Sequence, residues 1–535
     1  MAFSRGTEKI REKLLASETG ALEKTGHCPL EVGMLGLSPY ELVIGSLGYQ
    51  NSYRLFNHQE GTRCERLFEL GDNWISLESG RAAGTFGVLA ASVSYEQELI
   101  WLVRALSRIG VPVRSADRGP RDPIVLCGGP VITSNPETAA PFIDVCATGD
   151  GEQLIPVFTG SWLDTVGSGG TREDLLERLA GQPGFYVPSL YKCDTGEPPV
   201  PISGAAPERV PRAVVPLKGV PVHSTVISSM AHFRSMFMVE ITRGCRGRCK
   251  FCMVCKVNDP FRAVEPANLI DLIREAPSSA RSVGLVGANL CDHPRLGDIL
   301  ETIVAGGRRA GVSSLRIGTV DKNLLGQLRA CRANSITLAP ESASPRLLKA
   351  IGKSYDPARL MELVRLAAEQ GFAGIKLYYM IGLPDETDQD RAMLTGQLRE
   401  LAEAASGRIK LSLSVNPFVP KPQTLWQDCS MMKTAAIKKV LRQLKKTVFG
   451  ISREIELSWQ SPVEATAQAV LSLGGRELSG SVEKAALERV RLLDCLAGQG
   501  VELENLLYQR EKLTSAHPWR VLECEPSLKQ SPNGG

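Results

Sequence analysis

Residues Glu240–Asp259 read "EITRGCRGRCKFCMVCKVND" and place Cys245, Cys249 and Cys252 within eight positions, with Cys255 following at the same short stride. The stretch continues an apolar, strand-like run, "MFMVEIT", from Met236 to Thr242. Three thiolates on one short loop can hold three irons of a cubane and leave the fourth iron without a protein ligand. An open coordination position suits a catalytic site, whereas a structural site is closed. Cys255 offers the rival reading, a four-thiolate tetrahedral zinc site. Structural zinc folds commonly separate two ligand pairs by about a dozen or more residues, which avoids straining one loop. The spacing Cys-x₃-Cys-x₂-Cys therefore favours three ligands, with Cys255 as a neighbouring thiol.

Downstream of this loop, strands and helices alternate. The strand candidates are "MFMVEIT", "SVGLVG", "SLRIGTV", "SITLAP", "GIKLYYMIGLP" and "IKLSLSVNPF". Amphipathic segments such as "RLGDILETIVAGGRRAG" and "DPARLMELVRLAAEQG" separate them. Six strands with intervening helices predict a partial (β/α)₆ TIM-type barrel over residues 233–457, with chemistry carried by the loops at the strand C-termini. The first 192 residues also alternate: "LEVGMLGL", "GTFGVLAASVSY", "VPVRSA", "DPIVLCGGP" and "IDVCATG" read as strands, and "EQELIWLVRALSRIG" as a helix ended by Gly110. That pattern predicts βαβ units and a parallel, doubly wound, Rossmann-like sheet. Its Gly128-Gly129 and Gly149-Asp150-Gly151 turns fall where open α/β sheets bind ligands, although tight backbone geometry alone also selects glycine. Residues 193–232 form a connector; seven of the 31 residues from Cys193 to His223 are proline. Residues 458–535 read as mainly helical, ending in a polar tail, "EPSLKQSPNGG", expected to be disordered. The fold class is thus α/β with a helical C-terminal region.

Acidic and basic residues nearly balance, for a net charge of +4 over 535 residues, which argues against a dedicated nucleic-acid surface while leaving tRNA open. No stretch approaches the ~18 apolar residues of a membrane span. The first residues, "MAFSRGTEKIREKLLASETGALEKTG", form a charged amphipathic helix rather than a secretory segment. With most of the 14 cysteines scattered, a reducing, cytoplasmic setting is expected.

Cys245, Cys249, Phe251 and Cys252 resemble the signature of the radical SAM superfamily. That resemblance implies a [4Fe–4S] cluster held by the three cysteines, its unique iron chelated by S-adenosylmethionine. One-electron reduction then splits the S–C5′ bond and gives a 5′-deoxyadenosyl radical. It also implies a reducing electron donor of flavodoxin or ferredoxin type and a substrate that the residues do not identify. Further segments match the same family. "TLAPESASP" with Glu341 and Ser342 resembles the region around the cofactor's ribose and sulfonium, with helix capping as the alternative role for Ser342 or Ser344. "KLYYMIGLPDET" with Ile381 and Gly382 resembles the adenine-side loop, braced by Glu386, and "VNPF" around Asn416 resembles the segment closing that pocket. Arg316 in "SLRIGTVD" sits where a cation could meet the cofactor's carboxylate. The resemblance extends through "VLCGGPVITSNPE" and "DVCATGDGEQ" to the branch with an N-terminal cobalamin-binding-like domain, in which Gly128, Gly129 and Gly151 could border a corrin. The Asp-x-His-x-x-Gly cobalt-ligand loop of that domain is absent. With cobalamin, the resemblance implies methyl transfer or rearrangement. Without it, modification of RNA or protein like that of the methylthiotransferases competes, as does a non-enzymatic zinc protein.

Overall fold

The computed structural model describes residues 5–193, 197–353, 355–496, 501–510 and 517–523; the polar tail lies outside them. The first sheet has seven strands: β1 (Leu30–Leu35), β2 (Thr62–Leu70), β3 (Asn73–Ser76), β4 (Val88–Ser92), β5 (Ile124–Gly128), β6 (Val145–Ala147) and β7 (Phe185–Tyr186). Their order is β3-β2-β1-β4-β5-β6-β7, parallel except for the outermost strand at each edge. The strand order reverses between β1 and β4, so the chain leaves this point toward both edges. Near-continuous apolar runs such as Val88–Ser92 suit a sheet covered on both faces. Helices α1 (Leu47–His58) and α3 (Gly151–Gly167) pack on one face, and α2 (Glu98–Ile109) on the other.

Two readings of this region are corrected. "VPVRSA" is no strand; Ser115–Asp117 make a single 3₁₀ turn. Strands β2 and β3 were not foreseen, because Arg63, Glu65, Arg66 and Glu69 crowd the first of them. The structure satisfies that charge internally. Arg66 is fully buried, donating to both carboxylate oxygens of Glu18 at 2.8 Å and to Glu78 at 2.6 Å.

The second α/β unit runs β8 (Met236–Glu240), α4 (Pro266–Arg274), β9 (Ser282–Val286), α5 (Leu296–Ala305), β10 (Arg309–Val312), α6 (Lys322–Ala330), β11 (Ser335–Glu341), α7 (Pro345–Ile351), α8 (Pro357–Glu369), β12 (Gly374–Ile381), α9 (Asp388–Ala405), β13 (Lys410–Pro417), α10 (Thr434–Ile451) and β14 (Glu456–Ser458). Parallel sheets β8-β9-β10 and β11-β12-β13-β14 are joined by a bridge from Leu315 to Leu338, giving a partial barrel. The third barrel strand differs from the expected "SLRIGTV". Gly306 and Gly307 stop α5, the strand forms upstream at Arg309–Val312, and Ile317–Thr319 coil into a 3₁₀ turn. Arg316 therefore lies in a loop rather than on a strand.

Helix α11 (Pro462–Leu473) and the turn after it dock on the first sheet. Asn135 Nδ2 donates to the carbonyls of Ser472 (2.9 Å) and Gly474 (2.8 Å), and Thr138 Oγ1 to that of Leu471 (2.9 Å). Fully buried Glu137 accepts from Arg476 Nε at 2.8 Å and from the Tyr186 hydroxyl. Among the described residues no helix is long and apolar enough to cross a membrane.

Candidate functional site

The three cysteines lie on the loop that follows β8, at the C-terminal edge of the barrel. Backbone contacts stitch this loop to its neighbours: Lys250 N–H donates to the Ile351 carbonyl (2.9 Å), and Trp426 N–H to that of Lys250 (3.1 Å). Gly352, at φ 77°, permits the approach; a Cβ there would stand 2.6 Å from the Arg248 carbonyl oxygen. Phe251 packs into a small apolar cluster with Leu347, Ile351, Phe418 and Trp426, which fixes the loop beside the cysteines.

Among the described residues no three His, Cys, Asp or Glu side chains converge as the ligands of one ion would. A cubane takes each thiolate at a separate iron, so its ligands need not meet at a point. The loop's chemistry fits that demand. Gly247 N–H donates to Cys245 Sγ at 3.3 Å. The Cys255 thiol beside it, helped by the N–H groups of Val254 and Cys255, draws the Cys252 thiol down to about 7 against burial. Burial pushes Cys249 up to about 11, a shift that iron would reverse, because a coordinating thiol is deprotonated outright. Cys255 turns its Sγ toward the Cys252 carbonyl, 3.0 Å away, and the bond it makes to Cys252, then burial, raises its own pKa.

Around the loop stand the other expected residues. Glu341 ends β11 where its register with β12 shifts, and it holds a left-handed φ of 66°. Such a conformation costs about 1–3 kcal/mol for a residue with a side chain and persists where the surroundings over-determine it. Burial raises the Glu341 carboxyl against the pull of Lys353, whose Nζ lies 3.0 Å away. Ser342 does not cap the following helix. Its Oγ accepts from the Ser344 N–H (3.1 Å), and Ser344 is the cap, accepting from Leu347 N–H, with Pro345 in the first turn. Arg316 reaches over the cluster loop: its Nη2 would lie 3.7 Å from a Cβ on Gly247, and donates to Asp292 at 3.3 Å. Ile381 and Gly382 close β12, where Gly382 N–H donates to Glu386 Oε2 at 2.7 Å, the brace expected of that carboxylate. Asn416 uses its Oδ1 to accept from Gln460 N–H (2.9 Å), tying β13 to the chain that enters α11.

Sequence reasoning missed Asn289, in the loop after β9. It is 5% exposed, and neither its Nδ2 nor its Oδ1 has a partner among the described residues. Nothing in "VGANL" distinguishes it, since burial and lack of a partner are tertiary properties. Lys353 was missed because its pairing with Glu341 is likewise a tertiary property.

A cavity of about 480 Å³ opens between the two α/β units. One wall is the C-terminal edge of the first sheet, at the reversal of strand order: Ala90–Ser92, Gly128, Gly129, Thr133 and Gly149–Glu152. The other is the barrel: Glu240, Arg243, Val257, Asn258 and Val286. Gly128, Gly129 and Gly151 thus line one space. At Gly129 (φ 97°) the protein's own backbone dictates glycine, because a Cβ would lie 2.6 Å from the Val93 carbonyl oxygen; at Gly151 nothing approaches nearer than 3.6 Å. No histidine is among the lining residues.

An ionic clasp closes one side of this cavity, two residues from Cys245. Arg243 donates to Asp150 (2.8 Å), to Glu152 (2.8 and 3.1 Å) and to Glu240 (2.7 and 3.0 Å), while Arg262 pairs with Asp150. Burial opposes the charge on Arg243, but Glu240 and Glu152 hold it well above its ordinary value.

Comparison with known proteins accords with this geometry. The family model of radical SAM proteins, N-terminal, matches residues 48–188, and that of the radical SAM superfamily matches residues 239–398. The uncharacterised protein MJ0966 of Methanocaldococcus jannaschii is 28% identical over 291 residues, 52% of this chain and 63% of that protein. The ribosomal protein uS12 methylthiotransferase RimO of Streptomyces avermitilis is 30% identical over 206 residues, 35% of this chain and 38% of that protein. The chain thus spans less than two thirds of either relative. The structure of the radical S-adenosylmethionine methyltransferase TsrM of Kitasatospora setae, with cobalamin and a [4Fe–4S] cluster bound, is 13% identical with a TM-score of 0.45, covering 72% of this chain and 75% of that one. The two family matches take in both the doubly wound sheet and the cysteine loop: the chain is an enzyme of the radical SAM superfamily, which uses a [4Fe–4S] cluster and S-adenosylmethionine.

Proposed function

We propose that this enzyme cleaves S-adenosylmethionine reductively and directs the resulting radical chemistry at a substrate beside a corrin seated between its two α/β units. The observation that supports the reading is the 480 Å³ cavity, walled on one side by the C-terminal edge of a doubly wound sheet and on the other by residues flanking the cysteine loop. Ligands of open α/β sheets bind in that position. When bound, the cluster supplies the electron that splits the S–C5′ bond of S-adenosylmethionine.

The chain's own residues have simpler tasks. Cys245, Cys249 and Cys252 would hold three irons; Gly247 N–H meets the Cys245 sulfur, and the Cys255 thiol with nearby N–H groups draws Cys252 toward its thiolate. Glu341, kept near by Lys353, accepts ribose hydroxyls; Arg316 faces a carboxylate; Ile381, Gly382 and Asn416 wall the adenine side. Small residues (Ala90, Ala91, Gly128, Gly129 and Gly151) leave room for a broad, flat ligand.

The test is purification without oxygen from cells supplied with hydroxocobalamin. About four irons per chain, one corrin and dithionite-dependent release of 5′-deoxyadenosine are expected. One zinc and no iron would overturn the reading entirely. Full iron and 5′-deoxyadenosine without corrin would instead favour modification of RNA or protein, the reading to which the partial likeness to RimO points.

A further inference from the structure

Helix α10 contains Lys438, Lys439, Arg442, Lys445 and Lys446 and no acidic residue. Five cations on one helix exceed the net charge of +4 of the whole chain, so the overall balance conceals a strongly asymmetric surface. At ~100° per residue the five fall within an arc of about 120°. All are exposed, and among the described residues none forms an ion pair; Arg442 Nε donates only to the Lys438 carbonyl of its own helix (3.3 Å). The opposite face, Ile437, Leu441, Leu444 and Val448, is buried against the barrel. The helix therefore cannot turn an apolar side toward a bilayer, as an interfacial helix does.

Phe449 lies inside the same arc and is 64% exposed, with the Arg453 guanidinium 5.2 Å from its ring centre. A cationic stripe with an exposed aromatic ring set in it is the arrangement that binds single-stranded nucleic acid: lysines and arginines follow the phosphates while a base stacks on the ring. An acidic protein partner fits less well, because four of the five cations are lysines, in which protein–protein interfaces are depleted. The chain that enters α10 carries Trp426, whose N–H donates to the Lys250 carbonyl on the cysteine loop.

We infer that the exposed face of α10 binds single-stranded nucleic acid, with Lys438, Lys439, Arg442, Lys445 and Lys446 on its phosphates and Phe449 under a base. The inference stands apart from the corrin reading, since binding requires neither cofactor nor turnover. Fluorescence anisotropy of the full chain with labelled 20-nucleotide oligouridylate and oligothymidylate tests it, with oxidised flavodoxin as an acidic-protein probe. Both oligonucleotides should bind, with log K falling against log salt at a slope of about −3.5 for five phosphate contacts on a single strand. Replacing the five cations by glutamine should flatten that slope and weaken binding at least tenfold; Phe449→Ala alone should weaken it roughly tenfold with the slope retained. These substitutions lie on an exposed face, and thermal melting confirms that each variant is folded. Oligonucleotide binding unchanged in the glutamine variant, a salt-independent affinity, an unchanged Phe449→Ala variant, or binding of flavodoxin but of neither oligonucleotide would each overturn the inference.

Discussion

At the scale of single residues the decisive contrast is between Cys252 and Cys255. Both are half-buried thiols on one turn, yet one is drawn toward its thiolate and the other is held as a thiol by bonding to it. Cys252→Ala should lose most of its iron after anaerobic reconstitution, whereas Cys255→Ala should retain it; iron assay beside the visible spectrum reads both. Loss of iron from the Cys255 variant as complete as from the Cys252 variant would return the fourth thiol to the ligand set. Glu341 shows another kind of specification. Its left-handed backbone and buried carboxyl are disfavoured separately, and Lys353 offsets the second.

Among elements, the cysteine loop depends on the end of α7. Gly352→Ala would place a methyl 2.6 Å from the Arg248 carbonyl oxygen and strain a positive φ. Iron retention should fall while far-ultraviolet circular dichroism stays unchanged; full iron content in this variant would show that the loop does not need that approach. Within the first sheet, Glu31 on β1 is clamped by Arg81 and by Arg63 of β2, and Arg81 first, despite partial burial, then Arg63 lower its carboxyl to about 2. Because the folded pKa lies below the unfolded value near 4.3, the clamp contributes in full above pH ~5 and is lost as pH falls toward 2. The pair is partly exposed, so its worth is about 1 kcal/mol or less. Glu31→Gln should lower the melting temperature slightly at pH 7 and by markedly less at pH ~2, where the folded carboxyl is about half protonated; an equal difference at both would refute the clamp.

For the whole molecule, a shared apolar core, in which Val103 of α2 and Phe142 pack with barrel and C-terminal side chains, and a set of buried polar contacts together fix the relation between units. Glu137, Arg476 and Tyr186 join the first sheet to the turn after α11, and Glu96, at the other side of α11, accepts from Lys421, Ser472 (2.7 Å) and Gln468 (2.8 Å). Removing one partner of a buried pair leaves an uncompensated charge and costs about 3–5 kcal/mol. Glu137→Ala should therefore lower the melting temperature by several degrees. It should also raise proteolysis near residues 474–478, with the cysteine loop's iron content unchanged. The Arg243 clasp binds the cavity wall directly to the cysteine loop, so on the proposed reading Asp150→Asn should weaken retention of the proposed corrin more than iron retention. Equal loss of both would show that the clasp serves stability alone.

The sequence by itself determined the crowding of cysteines on one short loop, the alternation of strand and helix in both units, and the glycine turns that border the cavity, because each depends on spacing along a short stretch of chain. It concealed β2, whose charges find partners such as Glu18, Glu78, Glu31 and Arg108 elsewhere in the chain, and it misplaced the third barrel strand, whose pairing with β9 outweighs the local pattern of "SLRIGTV". Tertiary structure alone decided that Asn289 is buried without a partner, that Lys353 meets Glu341, and that two half-sites face one another across an ionic clasp. Those facts are distances between residues far apart in the chain, set by how whole sheets and helices pack.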